Sequence, residues 1–546
     1  MRQGKGYFLN TYIYNGIDLM PFGRRTDHPV PQPPVRTRDS WWWQCLAFDF
    51  ATRIKRCVLE LGVGTGKTKT AIDVIQNATR GPVLVVAPSS EICGGWQKAV
   101  GEYVVDQSAY GVIRADDSIG TVARRAAKAG AAIGAFANPI VTVNYEAAWR
   151  MMPFLAIVPW AAIVYDESHK LKSPTGRTSK WALAMNRAHP HAHIICLTGT
   201  IMPHSPADAF GQIRAVDESM FGDGFMLFRV RYIQTLHDER REAFAALQDK
   251  TIGLERAKAA KRVIARTATM PRPMMAQVRG YKNLNNLADK LSRRVFHIGR
   301  EVLNLEPPDD VTEYVTLPAE AMRVYKRLEH DLFVQVDKDN FVATPNVLTK
   351  ILRLQQITSG FVAVEDGDGN AGTRWLHDAK KKALADIFER TLPGFDKPPE
   401  PFVVFARFSR ATHATVNDLQ AIEDASGEAF GPDSYRELSG ARKEYEKFVA
   451  GEGHVFGLQL QAGSTGLDGL KDRCRYGVYY STCWSLGDYD QSRGRLHRAG
   501  QERHVTFFHI IARGTVDEDL YRGYAEKRDP IEVVLTAIKE RQNNAS

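Results

Sequence analysis

The stretch Cys57-Val-Leu-Glu-Leu61-Gly-Val-Gly64-Thr65-Gly66-Lys67-Thr68 decides the fold. An apolar run, Cys57–Leu61, reads as a buried strand. A glycine-rich turn follows, and the periodicity of Thr68–Asn77 predicts a helix that stops at Arg80-Gly-Pro82. Strand, glycine loop and helix in this order are the context a phosphate-binding loop requires. Glycines let backbone N–H groups approach phosphate oxygens, and the helix N-terminus adds positive potential. Lys67 would reach the β and γ phosphates of ATP, with Gly64, Thr65 and Gly66 around them, and the Thr68 hydroxyl would bind Mg²⁺. Leu61 stands where the strict loop pattern has its first glycine. The string by itself therefore fits a turn with a surface lysine too, and its partners downstream separate the two readings.

Working outward, apolar runs at Val83–Ala87, Ile140–Val143, Ala161–Tyr165 and His193–Leu197 alternate with helical patterns. That alternation predicts an α/β lobe with a parallel sheet. Residues 205–300 change character, becoming rich in Ala, Arg, Lys, Glu and Leu, with helical spacing in Glu239–Gln248 and Leu254–Arg266. Residues 317–360 are mostly helical in pattern. Strand signals return at Phe402–Phe405, Tyr435–Leu438, Val455–Leu458, Tyr476–Tyr480 and Val505–Ile511, which predicts a second α/β lobe. The expected organisation is an extension 1–39, a first lobe 40–204, a helical insertion 205–300, a linker and second insertion 301–375, a second lobe 376–525, and a helix and tail 526–546.

Size and composition bound the answer. With 546 residues, 44% hydrophobic and 25% charged, the chain suits a soluble globular protein of several domains. Its net charge of +9 is compatible with a polyanionic partner without requiring one. Six scattered cysteines show no C-x2-C spacing and read as reduced, buried thiols. The polar, basic start lacks a secretory core. The apolar stretch Met151–Tyr165 is short and broken by Pro153 and Pro159, so no membrane span is expected.

Two carboxylates, Asp166 and Glu167, end the strand Ala161–Tyr165. Asp166 would hold Mg²⁺, and Glu167 would orient or deprotonate an attacking water. Far downstream, Arg495 and Arg498 are three residues apart, which predicts that both project from one helix face. Two guanidiniums aimed at a γ-phosphate would stabilise transition-state charge, an effect worth on the order of 10³–10⁵ in rate in other NTPases.

Together these residues resemble the motor core of helicase superfamily 2, close to its Swi/Snf-type DNA translocases, over roughly residues 40–525. Gln44 looks like the adenine-reading glutamine, Gly64–Thr68 like motif I, and Ala87-Pro-Ser89-Ser90 with Trp96 like motif Ia. Thr142-Val-Asn144-Tyr-Glu146 resembles motif Ib, Asp166-Glu-Ser-His169 motif II, and Leu197-Thr198-Gly-Thr200 motif III. In the second half, Val403–Phe405 with Phe408 is similar to motif IV, and Tyr435–Gly440 to the segment after it. Ala462–Asp468 is similar to motif V. The string Gln491-x3-Arg495-x-His497-Arg498-x-Gly500-Gln501 is similar to motif VI and is the most specific signal.

The resemblance implies two RecA-like parallel-sheet lobes with helical insertions, ATP and Mg²⁺ as cofactors, and an ATP site shared between Lys67 and the two arginines. It implies coupling roles for His169, Thr198, Thr200 and Gln491. Sequence-blind contacts to a duplex backbone would come from Ser89, Ser90, Asn144, Thr198, Ser439 and Ser464. There are departures. Asp468 stands where Asn is usual and resembles an aspartate that approaches the ATP ribose in DEAD-box members. Ser168 replaces the usual alanine of motif II. The compact form resembles bacterial or bacteriophage members, which implies a monomer in the cytoplasm of a bacterial or phage-infected cell. The expected activity is an ATP-driven duplex-DNA translocase. A strand-separating or annealing helicase, an RNA helicase and an ATP-switched DNA scaffold remain open at this point.

Two other strings do not carry sites. Asp366-Gly-Asp-Gly-Asn370 starts like a calcium loop but has Ala371 and His377 where Gly and Glu are needed, and reads as a hairpin turn. His189-Pro-His191-Ala-His193 lacks metal-spaced partners and reads as a loop.

Overall fold

The computed structural model describes residues 13–14, 17–18, 31–115, 130, 133–203, 205–222, 224–249, 253–268, 278–338, 345–365, 371–392, 399–409, 417–460, 469–526, 533–534, 537–538 and 540–541. Contacts divide the chain into two compact units, Met1–Val302 and Leu303–Ser546.

The first unit is built on seven strands: β1 (Arg56–Leu61), β2 (Val83–Ala87), β3 (Val112–Arg114), β4 (Ile140–Asn144), β5 (Ala162–Tyr165), β6 (His193–Thr198) and β7 (Val295–Ile298). They pair in the order β7-β1-β6-β5-β2-β4-β3, and every pairing is parallel. Helices on both faces explain why these strands are continuous apolar runs and not alternating ones. All five residues of β2, Val-Leu-Val-Val-Ala, are inaccessible to solvent. Each fully buried Val or Leu of this kind contributes roughly 1.5–3 kcal/mol. Because the sheet is parallel, the loops after β1, β2, β4, β5 and β6 all leave from one edge, where ligands of such sheets bind. Helices α1 (Trp42–Ile54), α2 (Lys67–Ala78) and α3 (Ser90–Tyr103) flank that edge.

The stretch 205–300 is only partly an insertion. Helix α4 (Asp208–Val216) places Phe210 and Ile213 in the same core as Leu84, Val143 and Tyr165. Strand β7 lies in register on β1, Val295 opposite Val58. What stands apart from the sheet is an antiparallel ribbon, Ile233–Thr235 with Val278–Tyr281, that carries the helices Leu236–Gln248 and Leu254–Thr267. Thr235 and Asp238 form a reciprocal cap that starts the first of these: Thr235 Oγ1 accepts from the Asp238 N–H and Asp238 Oδ2 from the Thr235 N–H.

The second unit repeats the architecture. Its strands are β8 (Asp309–Val315), β9 (Phe402–Ala406), β10 (Tyr435–Leu438), β11 (Val455–Gln459), β12 (Tyr476–Tyr479) and β13 (Thr506–Ala512). They pair in the order β8-β13-β12-β9-β11-β10, again all parallel. Strand β8 falls in the stretch expected to be linker and insertion; it is an edge strand instead. The helices Ala319–Lys338 and Pro345–Ser359 precede an antiparallel ribbon, Phe361–Glu365 with Ala371–Trp375. Asp366–Asn370 lies outside the described residues, and the strands on either side of it pair as the hairpin reading requires.

A buried ion pair ties this unit together. Lys380 Nζ, 1% exposed as a residue, sits 2.6 Å from Asp517 Oδ2 and donates to the Tyr480 carbonyl. Asp517 Oδ1 accepts from Thr358 Oγ1 at 3.0 Å. The inserted helix, the sheet and the helix Val516–Ala525 thus meet at one carboxylate. Within the segment read as a helix and tail, Val534 and Ile538 pack with Tyr325 and Leu520. All six cysteines are buried and unbridged. Among the described residues no helix is long and apolar enough to cross a membrane, and none of their His, Cys, Asp and Glu side chains group as a metal cluster. His193 opens β6 and His189 follows a helix end, as the loop reading expects.

Candidate nucleotide site

The glycine loop is shaped by backbone conformations that side chains rarely adopt. Gly64 and Gly66 have φ of 86° and 88°, in the left-handed region. A Cβ on Gly66 would also lie 2.1 Å from Gln44 Nε2. The loop is pinned from several sides. Trp43 Nε1 and Gln44 Nε2 both donate to the Thr65 carbonyl, at 3.0 and 3.1 Å. Gln44 Oε1 accepts from the Trp41 N–H at 2.9 Å, so this buried amide fastens α1 to the loop. Thr65 has no solvent exposure; its hydroxyl donates to the Gly62 carbonyl at 2.7 Å and its N–H points to the same oxygen. Its side chain therefore braces the loop from inside. Leu61, the departure from the strict pattern, is the buried last residue of β1, and the Gly62 N–H bonds to Ile298 O on β7 at 2.9 Å.

Lys67 opens α2, with Thr68 next to it in the first turn. Lys67 Nζ donates to the Leu61 carbonyl at 3.2 Å and lies 3.9 Å from Glu167 Oε1. The acidic pair at the end of β5 is thus brought to the glycine loop. Asp166 is buried; Oδ2 accepts from Trp96 Nε1 at 2.8 Å and Oδ1 from the Glu167 N–H at 3.0 Å. Burial, then the Glu167 charge, push the Asp166 carboxyl up to about 6, against the opposing pull of the Trp96 bond and Lys67. Glu167 is held at φ 47° and ψ 55°, a costly conformation for a side-chain-bearing residue. Its Oε2 is 3.2 Å from His169 Nδ1.

The loop after β6 completes this edge. Thr198 is fully buried, and its hydroxyl donates to the Thr200 carbonyl at 2.7 Å and accepts from the Thr200 N–H at 3.2 Å. A Cβ on Gly199 would lie 4.0 Å from Lys67 Nζ, so the loop flanks the lysine. The Thr198 hydroxyl, which the motif reading assigns to a duplex contact, bonds within its own loop. Ser89, Ser90 and Asn144 do converge, at the ends of the paired strands β2 and β4. Ser89 Oγ caps α3, Asn144 Oδ1 caps the short helix Tyr145–Ala148, and Asn144 Nδ2 donates to Ser90 Oγ at 3.2 Å. All three remain half-buried.

In the second unit the helix α5 (Leu486–Arg493) carries Gln491 and ends at Arg493. Arg495 and Arg498 are therefore not on one helix face as their spacing suggested. Gly494 sits at the helix end, Leu496 turns into the core, His497 Nε2 bonds the Glu306 carbonyl at 2.9 Å, and Gly500 takes φ 84°. Both arginines are half-buried in the turn that results. Arg493, given no role by the sequence, pairs through both guanidinium nitrogens with Asp310 and stacks 4.3 Å over Phe507. Gln501 Nε2 bonds the carbonyls of Lys471 and Cys474. Ser439, another expected duplex contact, is 2% exposed, donates to Glu437 and accepts from the Ala441 N–H. Ser464 and Asp468 lie outside the described residues.

Two RecA-like parallel sheets, the first with a glycine loop, lysine and paired carboxylates at one edge, define a helicase-like ATPase core. Residues 44–360, more than half of the 546, match the SNF2-related domain, and the chain belongs to that family, the Swi/Snf-type branch of helicase superfamily 2. It is similar to the putative protein p41 of Acyrthosiphon pisum secondary endosymbiont phage 1, 24% identical over 91% of this chain and 98% of that one. It is 22% identical to the putative ATP-dependent helicase/translocase YwqA of Bacillus subtilis, over 88% of this chain and 45% of that one. The Caenorhabditis elegans homologue of SWI/SNF-related matrix-associated actin-dependent regulator of chromatin subfamily A-like protein 1 is 26% identical over 32% of this chain and 24% of its own length. The chain thus covers nearly all of the phage relative and less than half of the other two. Among solved structures, the Sulfolobus solfataricus SWI2/SNF2 ATPase core in complex with dsDNA aligns over 94% of this chain and 96% of that one, at 16% identity and a TM-score of 0.36.

Proposed function

We propose that the protein is a DNA-dependent ATPase that translocates on double-stranded DNA. The observation that carries this reading is the meeting of Lys67 with Glu167, 3.9 Å apart, beside a glycine loop and a buried aspartate. Lys67 has a main-chain carbonyl and Glu167 as its partners, so a γ-phosphate would be a stronger one. The residues fit Mg-ATP: two glycines in the left-handed region give the loop its tight turn at the start of α2, with Lys67 at the helix N-terminus, and a carboxylate raised by burial and by a neighbouring charge is relieved by a cation. Thr68 and Asp166 would hold Mg²⁺, which neutralises phosphate charge.

Within this reading Glu167 orients the attacking water and takes its proton, and His169 fixes the Glu167 carboxylate. Gln44 reads the nucleotide base while anchoring the loop, and Asp468 approaches the ribose. Arg495 and Arg498 stabilise charge on the γ-phosphate as the lobes close, with Gln491, Thr198 and Thr200 coupling nucleotide state to grip. Ser89, Ser90 and Asn144, with Ser464, are the backbone contacts; their short polar groups suit a track of any sequence. The protein acts as a monomer in the bacterial or phage-infected cytoplasm. The test is ATP turnover with and without duplex DNA, for wild type and Lys67→Ala. Duplex should raise wild-type turnover severalfold and the variant should be inert; turnover indifferent to duplex, or unaffected by Lys67→Ala, contradicts the reading.

A further inference from the structure

Ser168 sits between the acidic pair and His169, and its side chain is buried. Its fully buried hydroxyl donates to Gln212 Oε1 at 2.8 Å. Gln212, fully buried on α4, donates from Nε2 to the Ile201 carbonyl at 2.7 Å and to the Asp208 carbonyl at 3.1 Å. The Ile201 N–H in turn donates to Glu60 Oε1 at 2.8 Å, and Glu60 belongs to β1, the strand that leads into the glycine loop. One residue earlier on α4, a Cβ on Gly211 would lie 2.0 Å from the Leu171 carbonyl and 3.0 Å from Ser179 Oγ. The missing side chain lets α4 press against the turn that follows the acidic pair.

The chemistry of Gln212 is more specific than its volume. The amide oxygen accepts from one hydroxyl and both amide hydrogens are donated to carbonyls, so every donor of the terminal amide is used. A carboxylate there would face two carbonyl oxygens, and an aliphatic chain would remove the partner of the Ser168 hydroxyl and of the Ile201 carbonyl, while the Asp208 carbonyl keeps its helix bond. Packing alone would be served by a Leu or Met, since a buried polar group adds nothing unless every bond is made. The bonds join three things that surround Lys67: the turn of Asp166 and Glu167, the loop Thr198–Thr200, and the end of β1.

We propose that Gln212 is a positioning residue that locks the Asp166-Glu167 turn to the Thr198–Thr200 loop, so that the two shift as a unit when DNA is gripped. Ser168 is its partner, which gives the serine at this position a function an alanine cannot supply. The proposal rests on the motor reading above and adds to it the element through which stimulation passes.

The test measures duplex-stimulated turnover, the KM for ATP and the melting temperature for wild type, Gln212→Leu, Ser168→Ala and the double variant. Loss of the bonds should lower stimulated kcat about tenfold in Gln212→Leu, with the KM for ATP moving less than about twofold. Ser168→Ala should fall in the same direction by roughly threefold, and the double variant should be no worse than Gln212→Leu, because both break one link. If Gln212→Leu does not fold, Ser168→Ala, which removes a single hydroxyl, decides alone. A folded variant with wild-type stimulated kcat overturns the inference. So does a loss in which basal turnover, stimulated turnover and KM all change together with the melting temperature, since that is a packing effect. A wild type indifferent to duplex contradicts the motor reading and this inference with it, whereas a stimulated wild type with equally stimulated variants contradicts only the inference.

Discussion

The indole N–H of Trp96 lies 2.8 Å from Asp166 Oδ2, and both groups are buried. A residue on α3 thereby holds the carboxylate that would take Mg²⁺, in the orientation left by its bond to the Glu167 N–H. Trp96→Phe keeps most of the apolar bulk and removes the donor. A hydrogen bond to a charged group is worth about 1.5–3 kcal/mol, so the Mg²⁺ concentration needed for half-maximal ATP turnover should rise about tenfold or more. A Mg²⁺ titration of turnover, with the melting temperature as control, checks this; an unchanged Mg²⁺ requirement would mean that the bond does not orient Asp166.

Arg493 and Arg498 belong to the same short string but should behave in opposite ways. Arg493 is committed to Asp310 and to the faces of Phe507 and Tyr489. Arg493→Ala removes the bidentate pair with Asp310 and the packing on Phe507, leaving Asp310 with His509 alone, and should lower the melting temperature of the second unit, with turnover lost through instability. Arg498→Ala and Arg495→Ala should cut kcat by on the order of 10³ at similar KM for ATP, a loss far larger than any accompanying fall in melting temperature accounts for. Calorimetry beside steady-state kinetics separates the two outcomes.

Asp418 gives the second unit a pH dependence. Burial pushes its carboxyl up to about 6, only partly offset by bonds from Ser481 and the Phe408 N–H and by the charge of Lys380. A folded value above the unfolded one means that its contribution to stability is fully present below about 4 and is lost as pH rises through about 6. Asp418→Asn cannot ionise. The melting temperature of the variant minus that of wild type should therefore increase from pH 5 to pH 8, by an amount equivalent to at most roughly 3 kcal/mol. A difference independent of pH would show that Asp418 ionises as an ordinary carboxyl.

The buried pair Lys380–Asp517 should show the asymmetry expected of such pairs. Asp517→Ala leaves a buried ammonium without its counter-charge and the Ala512 N–H without its acceptor, and should cost about 3–5 kcal/mol in urea unfolding of the second unit. The double variant Lys380→Met, Asp517→Leu should recover much of that loss. Equal destabilisation by the single and double variants would assign the role to the neutral hydrogen bonds and not to the charges.

Much of this was legible in the sequence for a simple reason. Strands covered on both faces are written as unbroken apolar runs, and Val83–Ala87 begins and ends where its run does. The glycine loop and the acidic pair are also local signals, and β1 and β5 deliver them to the same edge. The edge strands β7 and β8 were not legible. β7 sits behind a helical stretch, and β8, Asp-Asp-Val-Thr-Glu-Tyr-Val, is largely exposed, so each is defined by a partner far away in sequence. The i, i+3 spacing of Arg495 and Arg498 suggested a helix face, but Gly494 ends the helix first. Hydroxyls are ambiguous for the same reason: Ser89 and Ser90 are partly accessible while Thr198 and Ser439 turn inward, and no local pattern distinguishes them. The Trp96 bond to Asp166 spans 70 residues and has no sequence signature.

Translocation is the central claim, and displacement of a triplex-forming oligonucleotide tests it most directly. A third strand is annealed to a blunt duplex, and its release is followed with ATP, with a non-hydrolysable analogue, and for Glu167→Gln. Wild type with ATP should release the third strand while leaving the duplex paired, and the analogue and the variant should not. Robust duplex-stimulated ATP turnover with no third-strand release would contradict the account.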